Sequence, residues 1–306
     1  MGKSSKDKRD IYYRKAKEEG WRARSAFKLL QIDEEFGILG EAKRVVDLCA
    51  APGSWSQVLS RKLYLPAKAA GEKELPLIVA IDLQPMAPID GVLQIQGDIT
   101  SARTAEMVIK HFDGKKADLV VCDGAPDVTG LHDMDEFVQA QLILAALTIV
   151  THVLRPGGNF VAKIFRGKDI SLLYTQLKIF FPVVTCAKPK SSRNSSIEAF
   201  VVCEGYLPPE GFDHKDLYRL LERASSQSGG LDCASSWLEG PSKLIVPFLA
   251  CGDLRGFDAD QSYPLQTSAA GSEKESAYQS LAPVQPPIAP PYRTAMELGK
   301  KLQKTL

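Results

Sequence analysis

At 306 residues with 44% hydrophobic content, the chain can bury a sizeable core as one large domain or two small ones. A formal net charge of +1 argues against a wholly basic nucleic-acid binder, six widely spaced cysteines without a C-x-x-C read as reduced core residues, and four scattered histidines lack the spacing of a metal site. No apolar run approaches the roughly 18 residues of a bilayer span and the start lacks a signal-peptide centre, so the expectation is a soluble intracellular protein.

The even total hides an asymmetric start. Residues 1–28 carry ten Lys or Arg against four acids, which is either a solvated leader or an electrostatic footprint for RNA. Met1-Gly2 opens like a myristoylation site, but Lys6 stands where Ser or Thr belongs. From Arg14 to Phe36, Trp21, Ala23, Ala26, Phe27, Leu29, Leu30 and Ile32 recur at three- and four-residue steps and predict one amphipathic helix, ended by Gly37–Gly40. Strand-like and helix-like runs then alternate: strand 44–49, helix 55–64, strand 77–82, strand 92–97, helix 102–112, strand 118–122 and helix 134–154. Strand 159–165, helix 170–181 and strands 183–187 and 197–204 complete the series. This rhythm predicts an α/β domain with a mainly parallel sheet and helices on both faces. The Pro66–Pro76 stretch, PAKAAGEKELP, reads as an exposed loop. The expected organisation is a basic leader and helix over 1–36, a core over 37–205, and an extension over 206–306 that is polar and Pro-rich in part and suited to docking.

The most informative segment is VVDLCAAPGSWSQVL, residues 45–59. An apolar strand runs into a small-residue turn, with Gly53 where a side chain would block approach, and a helix follows. Such a turn either packs strand on helix with no ligand or receives one at the strand's carboxyl end. No G-x-G-x-x-G is present, so a nucleoside lacking pyrophosphate fits better than a dinucleotide. Asp82, closing IVAID, is placed to accept ribose hydroxyls, and Asp98, after LQIQG, to approach an adenine amino group. Taken singly, a strand-end Asp is usually a helix cap.

DLCAAPGSW, then DGAPD (123–127), LRPGGNFVAKIF (154–165) and KPKSSRNSSIEAF (188–200), resemble the FtsJ/RrmJ family of RNA ribose 2′-O-methyltransferases. The resemblance spans roughly residues 9–205. It implies a Rossmann-like class I methyltransferase fold that uses S-adenosyl-L-methionine. It also implies a Lys-Asp-Lys-Glu tetrad at Lys28, Asp123, Lys163 and Glu198, with cofactor contacts at Gly53, Trp55, Asp82, Asp98 and Asp123 and no metal. The length and ending, with PFLACGDLRGFDADQSYPL and PPIAPPYRTAMELGKK, look like the eukaryotic tRNA branch, which methylates anticodon-loop riboses. That branch implies tRNA as substrate and alternative protein partners, a WD-repeat propeller protein and a large helical-repeat protein, which choose the nucleotide. It further implies work in the cytoplasm, with the nucleus as a second location, and no membrane.

In such a reaction Lys163 serves either as the base for the ribose hydroxyl or as a charged orienting group. An unperturbed Lys titrates at about 10.4, so a base role needs burial or a nearby cation such as Lys28, and Asp123 opposes it. Lys28 and Glu198 position the hydroxyl and balance charge, while Arg193 and the KPKSSR loop are candidates to hold phosphates. The competing readings are the same chemistry on ribosomal or cap RNA, a non-catalytic RNA-binding subunit, and a small-molecule or protein methyltransferase.

Overall fold

Seven β-branched, apolar runs assemble one sheet because their alternate side chains need cover on both faces. In a computed structural model, which describes residues 11–126, 132–167, 170–193 and 196–217, they follow the order β3-β2-β1-β4-β5-β7-β6. β1 (Arg44–Leu48), β2 (Leu77–Asp82), β3 (Val92–Gln96), β4 (Ala117–Cys122) and β5 (Leu154–Phe165) are parallel. β7 (Glu198–Glu204) runs antiparallel to β5 and to the edge strand β6 (Val183–Ala187). The strand order reverses between β1 and β4, so a crevice opens beyond their carboxyl ends, where Rossmann-like sheets bind ligands. The expected α/β class and mainly parallel sheet are what the chain forms.

Neighbouring residues of one strand serve opposite cores. Val45, Ile78, Leu119 and Val121 pack with Leu29 and Ile32 of α2 (Ala26–Phe36) and with Trp55, Val58 and Leu59 of α3 (Ser54–Leu59). Val46, Leu48, Val79 and Val120 face the other way. They pack with α5 (Ala102–His111), α6 (His132–Val153) and α7 (Ile170–Leu177), leaving α1 (Ile11–Glu18) and α4 (Leu65–Ala69) at the margins.

Three expectations need correction. The single helix expected over Arg14–Phe36 is two, α1 and α2. Gly20 turns left-handed at φ 72°, and the link that follows is drawn onto the β1 turn, where the Arg22 N–H donates to Gln57 at 2.7 Å. The first four residues of the expected loop at Pro66–Pro76 are helical: a π-turn at Ser60–Tyr64 carries α3 into α4, whose Pro66 sits in the first turn, where its missing N–H costs nothing. Finally, α6 is long and apolar enough to cross a bilayer, with a mean hydropathy of 1.5 over Asp135–Val153. Its apolar positions pack on β4, β5 and α5. The basic leader before residue 11 and the extension beyond residue 217 lie outside the described residues.

Candidate active site

The turn after β1 is built by close approaches. The Ala50 N–H donates to Ile81 at 3.0 Å, tying the turn to β2, and the Gly53 N–H closes it on Ala50 at 2.7 Å. Gly53 takes φ 103°, a conformation that L side chains avoid. The space its missing side chain leaves is filled by protein: a Cβ there would stand 2.6 Å from the Arg22 guanidinium and 2.9 Å from Ile89. Arg22 crosses this space to donate to the carbonyls of Pro52 at 3.0 Å and Pro88 at 2.9 Å. The glycine expected to admit a ligand therefore admits an arginine that clasps the two loops at the crevice.

Asp82 stands at the end of β2, where its carboxylate accepts from the Ala51 N–H at 2.9 Å and from the Gln84 N–H at 2.8 Å. Each oxygen retains a lone pair for a further donor. Asp98 is exposed and accepts from the Thr100 N–H and hydroxyl, both at 2.8 Å, the local turn that a strand-end Asp commonly makes. The Trp55 indole is only 1% exposed, packs on Phe200 and donates to the Ser25 carbonyl at 2.9 Å. Its side chain belongs to the core, so only its backbone is available to a cofactor.

The four tetrad positions, scattered over 170 residues, converge at the carboxyl ends of β4 and β5. Lys28 comes from α2, Asp123 follows β4, Lys163 lies in β5 and Glu198 opens β7. The Lys28 ammonium pairs with Glu198 at 2.7 Å. Lys163 pairs with Asp123 at 2.6 Å, donates to the Asp123 carbonyl at 2.7 Å and lies 3.7 Å from Glu198. Antiparallel pairing of β5 and β7 sets this geometry, because it places Lys163 across from Phe200, two residues along from Glu198. Gly124 lets the Asp123 turn approach β1, since a Cβ there would lie 2.9 Å from the Cys49 sulfur.

These distances set the charges. Burial pushes the Lys163 amine down, but Asp123 and Glu198 outweigh it, so its pKa is raised and the free protein holds it as an ammonium. Burial pushes Glu198 up, and Lys28 and Lys163 more than reverse this, leaving its pKa below the usual carboxylate value. Asp47 in β1 is fully enclosed; burial, with Asp123 and Asp82 adding repulsion, pushes it up to about 7 against the hydrogen bond from Ser56 at 2.5 Å.

Several residues support the site in ways the sequence does not show, Gln139 with no motif around it and Lys188 and Ser192 within the KPKSSR loop. The buried Gln139 amide donates to the carbonyls of Gly124 at 3.1 Å and Lys163 at 2.8 Å, bridging both sides of the crevice from α6. Ser192 donates to Glu198 at 2.8 Å, and Lys188 donates to the carbonyls of Ser196 and Glu198, each at 2.6 Å. Asp47 and Ser56 lie nine residues apart, within the motif already singled out, but their contact depends on the turn between them.

Comparison with known proteins gives a consistent picture. The FtsJ-like methyltransferase profile matches residues 21–206. A tRNA (cytidine(32)/guanosine(34)-2′-O)-methyltransferase of Mus musculus is 62% identical over 99% of this chain and 88% of its own. The protein of the same name in Schizosaccharomyces pombe is 56% identical over 97% of this chain and 98% of its own. A crystal structure from Plasmodium falciparum, assigned as a ribosomal RNA methyltransferase, superposes with a TM-score of 0.54 at 28% identity, covering 62% of this chain and 100% of that one.

Proposed function

The chain belongs to the FtsJ-like methyltransferase family, and on this premise we propose that it methylates the ribose 2′-oxygens of tRNA nucleotides 32 and 34, with S-adenosylmethionine as methyl donor. The observation that carries the tRNA assignment is the extent of similarity. The Mus musculus and Schizosaccharomyces pombe relatives named for tRNA match 99% and 97% of this chain, extension included, whereas an AdoMet-dependent rRNA methyltransferase of Aspergillus fumigatus matches 70% of it.

The donor set fits the cofactor. Asp82 offers carboxylate lone pairs to a ribose diol at the end of β2, beside a turn held by Arg22 and Gly53. Bound there, S-adenosylmethionine supplies an electrophilic methyl group on a sulfonium. The chain aligns the ribose oxygen and manages its proton. With the cofactor held there, the ribose hydroxyl would give up its proton to the Lys163 amine as its oxygen takes the methyl group. Because Lys163 rests as an ammonium, it must first release its own proton to solvent. Lys28, held by Glu198, keeps a second positive charge beside the amine, and Ser192 fixes the Glu198 carboxylate between them.

The extension over 206–306 docks the partner proteins that choose between the two nucleotides, a WD-repeat propeller protein and a large helical-repeat protein. The chain works in the cytoplasm and the nucleus. Ribose-methylation mapping of tRNA from cells lacking this chain tests the assignment: methylation is expected to disappear at both nucleotides and return with the wild-type chain, and its persistence would refute the assignment. Deleting residues 240–306 is expected to abolish partner capture while sparing cofactor affinity.

A further inference from the structure

A groove leads away from the tetrad along the loop between β6 and β7. Its inner part, of 260 Å³, is lined by Lys28 and Glu198 at one end and by Arg24, Ser192 and Arg193 at the other. Its outer part, of 350 Å³, shares those last three residues and continues past Ser191 and Lys190 to Tyr12 and Ile11 of α1. Among the described residues, the only carboxylate lining either part is Glu198, which pairs with Lys28. Arg24, Lys190 and Arg193 place three basic side chains along its length. Lys190 and Arg193 are exposed, while Arg24 donates to the Ser191 carbonyl and so anchors the loop to the segment that precedes the Lys28 helix.

A second feature points to an anion. Ser191 lines the groove and is 1% exposed, and its hydroxyl has no hydrogen-bond partner among the described residues. Its backbone N–H is held by Gln31 at 2.9 Å, which fixes the loop without engaging the hydroxyl. A buried hydroxyl with no partner is costly unless a ligand oxygen accepts its hydrogen bond. The exposed Ile11 and half-buried Tyr12 close the far end with apolar and aromatic surface, and the volume suits about one nucleotide.

We propose that this groove is a phosphodiester subsite, in which Arg24, Ser191, Lys190 and Arg193 hold the RNA phosphate adjoining the target ribose and the Tyr12–Ile11 end takes the flanking base. The inference rests on the tRNA reading above. It gives the enzyme a means of holding the strand, independent of the cofactor turn, so that the ribose meets Lys163.

The test uses the full chain with the paired substitution Lys190→Ala/Arg193→Ala. A control of equal charge, Arg103→Ala/Lys110→Ala, lies on α5, across the sheet from the groove. Affinity for a tRNA transcript is measured across a salt series. The groove pair is expected to weaken binding about tenfold or more and to flatten the salt slope by about 0.7 for each phosphate no longer neutralised, with S-adenosylmethionine affinity unchanged and the control pair near wild type. A neutral methylphosphonate beside the target nucleotide should weaken binding to the wild-type chain but not to the groove variant. Equal losses from both pairs, unchanged affinity in the groove pair, or no tRNA binding by the wild-type chain would each overturn the subsite. Ribose methylation by the wild-type chain, read on the same transcript, judges the tRNA assignment separately.

Discussion

Glu198 lies between two ammonium groups, 2.7 Å from Lys28 and 3.7 Å from Lys163, so it is the close partner of Lys28 and the more distant partner of Lys163, whose nearer carboxylate is Asp123 at 2.6 Å. Removing one member of a buried pair leaves an uncompensated charge, which costs roughly 3 kcal/mol when burial is nearly complete. Glu198→Gln is expected to lower unfolding free energy by about that amount in urea denaturation at neutral pH. Because the folded pKa of Glu198 is depressed, its contribution is present above the unfolded pKa and lost as pH falls through the folded one. The gap between wild type and variant should therefore close in acid. A gap that stays constant down to acid unfolding would show that the ionised carboxylate is not the source of the difference.

Asp82 has two tasks, holding the Ala51 N–H and offering lone pairs to a ribose diol. Asp82→Ala should weaken S-adenosylmethionine binding by about tenfold or more, since a hydrogen bond to a charged group contributes roughly 1.5–3 kcal/mol. Isothermal calorimetry reads the loss directly. Unaltered affinity would restrict Asp82 to bracing the turn.

Asp47 yields a pH dependence of the opposite sign to Glu198. Its folded pKa of about 7 lies above the unfolded value, so the native state binds more protons between the two, and stability declines as pH rises through that window. Asp47→Asn can still accept the Ser56 proton but has no charge to bury. Relative to wild type, the variant should gain a few kcal/mol between about pH 4 and pH 7, followed by thermal melts in a buffer series. A wild-type minus variant difference that is flat with pH would show that Asp47 does not titrate in that range.

Much of this arrangement is legible in the chain. β2 begins and ends where its apolar run does, because a strand buried on both faces leaves no room for polar interruption. The tetrad positions are legible only through the family resemblance of the motifs that hold them, RSAFKL, DGAPD, VAKIF and SSIEAF; taken singly, Lys163 and Glu198 read as ordinary strand charges. What periodicity could not convey is tertiary contact. The break at Gly20 follows from Arg22 and Gln57 meeting across 35 residues, and the apolar face of Trp21 to Ile32 gives no hint of it. Gly53 reads as an opening for a ligand because sequence shows the missing side chain but not the arginine that occupies the space. That the Trp55 side chain packs on Phe200, far along the chain, and leaves its backbone facing the turn is likewise a tertiary fact that the motif does not carry.

Lys163 decides the mechanism. In the free protein Asp123 and Glu198 keep its amine charged, with a pKa raised above the ordinary lysine value. If it is the base, only the small neutral fraction is competent, so single-turnover rates with cofactor and RNA saturating should rise about tenfold per pH unit through the neutral and mildly alkaline range. If it orients the hydroxyl as a cation, the rate is flat over that range and falls only when the amine deprotonates. Lys163→Ala should lose transfer by the ~10²–10⁴-fold typical of base removal while cofactor and RNA binding persist, because the contacts assigned to both lie elsewhere. Lys163→Arg separates the roles: arginine keeps the charge beside Asp123 but cannot be deprotonated. A base requires the Arg variant to be as inactive as the Ala variant. Near-normal transfer by Lys163→Arg, with a flat pH profile in the wild type, would reassign the proton to solvent and leave Lys163 as the group that holds the ribose oxygen in line.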